Sequence, residues 1–142
     1  VNLHNVLANP KLTIVNGSIL DKTLLLAVSK GVDYIFHLAA AVGVLNIVQK
    51  PSKSLYTNIR GTENLLEVAD QLSLPIFLAS SSEVYGKNNS IQLNEESDRI
   101  LGSTSILRWS YSQAKAIDES LAHAYRVEKG LTIRISRFFN TV

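Results

Sequence analysis

The segment Tyr111-Ser112-Gln113-Ala114-Lys115 sets a phenol and an ammonium four positions apart. At that spacing on a helix two side chains lie one above the other and can address a single ligand. A tyrosine hydroxyl with a pKa of about 10 is a weak base by itself, yet a neighbouring ammonium and a cationic cofactor ring both favour the phenolate. Tyr111 would then take the proton of an alcohol while a hydride leaves the same carbon. In a chain with five tyrosines such a pair also arises by coincidence, so the spacing alone decides little.

Three further groups follow strand-like runs. Ser80-Ser81-Ser82-Glu83-Val84-Tyr85-Gly86 comes directly after the apolar run 76–79. In open α/β sheets ligands bind beyond the carboxyl ends of strands, so hydroxyls there can hydrogen-bond a reacting substrate oxygen. A serine-rich turn with no further role is the plainer alternative. His37-Leu38-Ala39-Ala40 offers small side chains over which a flat or extended ligand can approach the backbone, while His37 by itself reads as a strand-end packing residue. In Arg137-Phe138-Phe139-Asn140 the aromatic pair suits an ordinary core, but packing does not explain Asn140.

These groups need elements to position them. Residues 12–15 read as a strand, and 21–30 as a helix with Asp21 as N-cap and Gly31 as its stop. Residues 33–38 are apolar on both parities, which predicts a strand covered on both faces, as in a parallel sheet. Leu65, Leu66, Val68, Ala69 and Leu72 recur at helical spacing within 52–72, and Pro75 marks the turn into the strand 76–79. The polar stretch 87–106 predicts a long surface loop of the kind that covers a site. Residues 110–129 carry Ala114, Ile117, Leu121, Ala124 and Tyr125 on one stripe and stop at Gly130; a last strand follows over 131–136. Helices alternating with short strands imply right-handed βαβ units and an α/β fold.

Composition narrows the function class. The chain has 142 residues, 46% hydrophobic and 18% charged, with a formal net charge of +2 and no cluster of Lys and Arg, so neither nucleic acid nor an anionic membrane is indicated as a partner. Cysteine is absent and the three histidines have no ligand-like spacing, which excludes disulfides, thiolate zinc sites and cysteine nucleophiles; a reducing, cytoplasmic setting fits. The longest apolar stretch, residues 38–45, has eight residues against the roughly 20 that span a bilayer.

Taken in chain order, HLAA (37–40), TNIRGTENLLEVA (57–69), SSSEVYG (80–86), YSQAK (111–115) and RFFNT (137–141) resemble the extended short-chain dehydrogenase/reductase family, in its group of NAD-dependent nucleotide-sugar epimerases, dehydratases and decarboxylases. The likeness runs from residue 15 to residue 142, and five segments in one order are a specific signal. It implies a doubly wound, Rossmann-type parallel sheet, NAD as cofactor, a nucleotide-sugar substrate and a homodimeric parent protein.

The resemblance also assigns roles. Ser81 falls on the family's catalytic Ser/Thr and would hydrogen-bond the sugar 4-oxygen, Tyr111 falls on the base, and Lys115 on the lysine that holds the nicotinamide ribose and lowers the tyrosine pKa. Leu38, Ala39 and Ala40 match the segment lining the dinucleotide, Asn58 the asparagine of the following helix, and Phe139 and Asn140 the pair facing nicotinamide and the sugar-nucleotide phosphate. Ser18 and Ile19 fall beside the adenine, where the family usually has Asp-Ile or Asp-Leu. Ser18 keeps one hydrogen bond there, so this departure weakens only the adenine contact.

Ser82 and Glu83 bear on what happens after oxidation at C4. The dehydratase pattern has Asp-Glu where this chain has Ser82-Glu83, which argues against removal of water. Glu83 and the context Arg108-Trp109-Ser110-Tyr111 are shared by decarboxylases and uronate epimerases. The expectation is a UDP-sugar 4-epimerase, with uronates among its candidate substrates, and UDP-glucuronate decarboxylase as the alternative.

The phosphates of a dinucleotide need a glycine-rich turn, yet the seven glycines here are never closer than twelve residues apart. The chain therefore reads as a fragment, residues 1–142, of a single dinucleotide-binding domain, lacking the first two strands with that loop and the C-terminal substrate-binding part. By itself such a fragment is expected neither to bind NAD tightly nor to turn over. Two rivals stand beside this reading. One is a non-catalytic truncated relative that pairs with another chain; the other is an NADP-dependent ketone reductase of the same superfamily.

Overall fold

The computed structural model of the chain describes residues 5–42 and 49–140. His4, Gly43, Leu45 and Thr141, which figure in the reading above, lie outside them. The elements in order are α1 (Lys22–Val28), β1 (Ile35–His37), α2 (Pro51–Leu72), β2 (Ile76–Ser81), a 3-10 turn (Ser82–Tyr85), a second 3-10 turn (Leu107–Trp109), α3 (Ser110–Lys129) and β3 (Ile133–Phe138). The three strands are parallel in the order β1-β2-β3, with Ile35 opposite Ile76 and Ile76 opposite Ile133. This is the α/β architecture expected from the alternation of elements.

Local chemistry sets the helix limits. Asp21 caps α1 by accepting from the Leu24 N–H at 3.0 Å. Pro51 opens α2, where its missing N–H costs nothing, and Gly130 ends α3 in the left-handed conformation that glycine adopts without strain. Leu65, Leu66 and Ala69 of α2 and Ala122 of α3 pack on Ile76, Leu78 and Ile133 of the sheet, forming the core.

Two expectations about strands are corrected. Residues 12–15 form no strand: they are irregular and exposed, because no described residue offers a ladder to pair with them, and a strand exists only through its ladder. Among the described residues the sheet is also covered on one face only. Phe36 is 68% exposed and, with Tyr34, Phe77 and Phe138, forms an aromatic row across the other face, its successive ring centroids 4.9, 5.9 and 6.2 Å apart. The apolar run 33–38 thus supplies two apolar faces, of which α2 and α3 bury one.

The stripe expected on α3 holds except at Ile117, which faces outward: Ala114 is buried, and Leu121 and Tyr125 pack on the core. Ser112, Lys115, Asp118, Glu119 and Ala122 are buried as well, so polar side chains share the inward face with the apolar ones.

Residues 87–106 are irregular, as expected of a surface loop. The loop leaves β2 through Gly86, whose φ of +66° and ψ of −117° exclude other L-residues in practice, and a Cβ there would stand 2.3 Å from the Ile100 carbonyl oxygen. Gly86→Ala is expected to destabilise the protein by about 1–3 kcal/mol from backbone strain alone, read as a lower urea midpoint; an unchanged midpoint would mean that the turn relaxes freely. Among the described residues no helix is long and apolar enough to cross a membrane, and no cluster of potential ligands can hold a metal.

Candidate active site

Because the strands are parallel, their carboxyl ends lie along one edge, bringing together His37-Leu38-Ala39, Ser80-Ser81-Ser82 and Phe138-Phe139-Asn140. β2 ends on Ser81, an extended residue whose Oγ accepts from the Glu83 N–H at 3.2 Å and so caps the 3-10 turn. α3 starts at Ser110, which sets Tyr111 in its first turn and Lys115 one turn deeper, packed against β2 and the 3-10 turn. Ser81 and Tyr111 share a side-chain hydrogen bond, and Lys115 lies on the same helix, packed on β2.

The phenol of Tyr111 lies above its ordinary pKa. Burial is the main cause, and the Asp118 and Glu83 carboxylates add to it, while a hydrogen bond with Ser81 opposes it. Lys115 is 3% exposed, and its Nζ donates to the Ala79 carbonyl at 2.9 Å and stands 3.5 Å from Asp118 Oδ2. The ammonium is drawn inward, toward the strand and the carboxylate.

Glu83 pairs with Arg108 across the site at 3.1 Å, and Arg108 lies 4.9 Å over the Trp109 ring. Both members of this pair are substantially exposed, so it orients side chains more than it stabilises the fold. Ser82 is half-buried beside Glu83. Phe139 stacks on Tyr85 with centroids 6.2 Å apart and remains 57% exposed, and Asn140 is exposed next to it.

The residues expected beside the dinucleotide divide in two. Ser18, Ile19, Leu38 and Ala39 line one cleft of about 280 Å³, together with Gly17 and Leu24. Its walls are mostly apolar, the chemistry of a site for a flat base and its ribose. α2 holds the rim: Asn64 Nδ2 donates to the Ile19 carbonyl at 3.1 Å, and a Cβ on Gly61 would stand 2.7 Å from Ile19 Cγ2. Asn58 acts differently. Its Oδ1 accepts from the Ala41 N–H at 2.6 Å and its Nδ2 donates to the Ala41 carbonyl at 3.3 Å, so its amide shapes the segment after Ala40. Ser54 donates to the same carbonyl at 3.1 Å.

Three groups near the site escaped sequence reasoning. Asp118 and Thr62 lie fully buried below Lys115. Glu119 is held by Arg137 through Nη2 at 2.8 Å and Nε at 3.0 Å, and accepts from Ser80 Oγ at 2.5 Å. The available signal was helical: positions 111, 115, 118 and 119 share one face.

A family model described as GDP-mannose 4,6 dehydratase matches residues 2–142. Among curated relatives, a UDP-N-acetyl-alpha-D-glucosaminuronate decarboxylase of Bacillus cytotoxicus is 40% identical over 123 residues, covering 87% of this chain and 38% of the relative. A UDP-glucuronate 4-epimerase of Arabidopsis thaliana is 36% identical over 130 residues, covering 89% and 29%. In the crystal structure of the dTDP-glucose 4,6-dehydratase DesIV of Streptomyces venezuelae with NAD and TYD bound, 41% of the chain matches 96% of this one, at 35% identity and a TM-score of 0.86. This chain therefore spans about a third of the length of the curated relatives it matches. With a match along almost its whole length and the Ser81, Tyr111 and Lys115 groups at the carboxyl edge of a parallel sheet, the chain belongs to the GDP-mannose 4,6 dehydratase family, within the NAD-dependent short-chain dehydrogenase/reductase epimerases and dehydratases.

Proposed function

We propose that the protein carrying this chain oxidises a UDP-uronic acid at C4 and releases its C6 carboxylate as CO2. The convergence of Ser81, Tyr111 and Lys115 supports the oxidation step. Ser81 would hydrogen-bond the sugar 4-oxygen, Tyr111 would take its proton, and Lys115 would hold the cofactor ribose. The chemistry that NAD supplies when bound is hydride acceptance from C4 and its return. Ser18, Ile19, Leu38 and Ala39, which line the apolar cleft, would hold its adenosine half together with Ala40. Phe139 would lie against the nicotinamide half. Ser82, Glu83 and Asn140 contact the sugar nucleotide.

Oxidation at C4 turns the C6 carboxylate into a β-keto acid, whose CO2 departs because the ketone accepts the electrons. The decarboxylase relative at 40% identity is the observation that puts this outcome first. The 4-epimerase expected from the sequence is the second reading, supported by the uronate epimerase relative at 36% identity. Both begin with the same oxidation.

The test is to incubate the protein carrying this chain with NAD and UDP-glucuronate and follow the sugar by proton NMR. Loss of the carboxylate to a UDP-pentose is the expected result. A 4-epimer that keeps the carboxylate would install the second reading, and an unchanged sugar together with unchanged UDP-N-acetylglucosaminuronate would defeat both.

A further inference from the structure

Beneath Ser81, Tyr111 and Lys115 runs a line of buried side chains that no step above uses. Asp118 is fully buried, and its Oδ2 stands 3.5 Å from Lys115 Nζ. Among the described residues neither of its oxygens has a close hydrogen bond, and the donors that act on it at looser range are Thr62 and Lys115. Thr62 of α2, fully buried, acts on that carboxyl through its hydroxyl, and its Oγ1 lies 3.0 Å from Nε2 of the buried His37 at the end of β1. The line therefore runs His37, Thr62, Asp118, Lys115, and closes on the Ala79 carbonyl of β2.

A buried carboxylate or ammonium left alone is costly, whereas a pair of them is neutral. We propose that Asp118 is a positioning residue, oriented by Thr62 and His37, whose carboxylate serves as the counter-ion that holds the Lys115 ammonium in place beneath Tyr111. The assignment deepens the reading of Lys115 given above and rests on it.

The hydroxyl of Thr62 has one proton, which fixes the direction of the line. While Asp118 is ionised it can only accept, so Thr62 donates to it and must itself accept from an Nε2–H of His37. Once Asp118 is protonated it can donate to Thr62, which then donates to a bare Nε2, and the His37 proton sits on Nδ1. The tautomer of His37 thus reports the charge on Asp118. His37 stays neutral near pH 7, because burial and, after it, the Lys115 charge push its pKa down to about 4. Burial raises the Asp118 carboxyl to about 6; Lys115 and Thr62 oppose the rise and Glu119 adds to it. The other titratable group coupled to this carboxylate is Tyr111, which it pushes up.

Nitrogen-15 NMR of His37 in the protein carrying this chain, without cofactor, tests the line independently of turnover. The Nε2–H tautomer at pH 7.5, passing to Nδ1–H with a midpoint near 6, is expected; Asp118→Asn removes that midpoint, and Thr62→Val uncouples it. A His37 tautomer that is Nδ1–H at pH 7.5, or that does not change with pH, overturns the proposal even if Asp118→Asn fails to fold. In Asp118→Asn with NAD and substrate, the acid limb of the pH–rate profile is expected to move down, since the lost charge holds Tyr111 up. A folded variant with an unshifted profile would refute the role. If the wild type lacks turnover altogether, the functional reading fails, while the tautomer still decides whether the buried line exists.

Discussion

Tyr111→Phe is expected to lower turnover of the protein carrying this chain by about 10²–10⁴-fold, the usual contribution of a positioned general acid or base. The substitution keeps the half-buried ring packed at the start of α3 and deletes one hydroxyl, so the melting temperature should stay nearly constant. Nucleotide-sugar affinity should also stay close to that of the wild type, because the phenol acts on a single proton in the transition state. Because burial and the Asp118 and Glu83 carboxylates hold the phenol above its ordinary pKa, wild-type turnover should rise with pH on its acid limb, and the variant should lose that limb. Steady-state kinetics across pH, alongside a thermal melt, separate the two effects. Normal turnover in the variant would remove Tyr111 from the chemistry.

Arg137→Ala should produce the largest loss of stability, about 3–5 kcal/mol, because it leaves Glu119 charged and buried without its partner. Arg137 also donates to the Glu95 carbonyl at 3.1 Å and lies 4.7 Å over the Tyr85 ring, so its loss frees the 87–106 loop and the 3-10 turn beside the site. Removing both charges in Arg137→Met/Glu119→Gln should cost less than removing Arg137 alone, since no buried charge is then orphaned.

The pH dependence of this pair has a definite sign. Burial is the largest single influence on Glu119 and raises its carboxyl, but hydrogen bonds from Arg137 and Ser80, with the Arg137 charge, together bring it below the ordinary value. Its contribution to stability is thus present above the ordinary glutamate pKa and lost as pH falls through the depressed one. Urea denaturation at pH 7 and at pH 4 should show wild type losing stability in acid and the Arg137 variant losing less. A drop below about 1 kcal/mol at pH 7 would mean that the pair is worth no more than a surface one.

How much of this was legible beforehand differs by residue. Gly130 and the Asp21 cap mark helix limits by their own backbone chemistry, and each stands where the sequence placed it. The hydroxyls after β2 and the Tyr111–Lys115 spacing could be read because strand ends and helix turns have fixed geometry. Asn58 could be recognised as a site residue, yet its hold on the Ala41 backbone could not, since that contact depends on how α2 meets the chain after β1. The inward face of α3 was read only in its apolar part, Ala114, Leu121 and Tyr125, because apolar periodicity assumes an apolar interior, and here Lys115 with Asp118, and Glu119 with Arg137, are buried as compensated pairs.

The sequence by itself determined most element types, the parallel α/β architecture and the four-residue spacing of Tyr111 and Lys115, all of which follow from local periods and short-range backbone chemistry; that Ser81 joins them as a unit came from the resemblance. Only the tertiary structure decided that residues 12–15 stay unpaired, that one sheet face is left bare around Phe36, and that Lys115 turns toward Asp118 and the Ala79 carbonyl. Strand pairing, face coverage and counter-ion placement are contacts between segments remote in the chain, and which segments meet is set by how the sheet and helices pack.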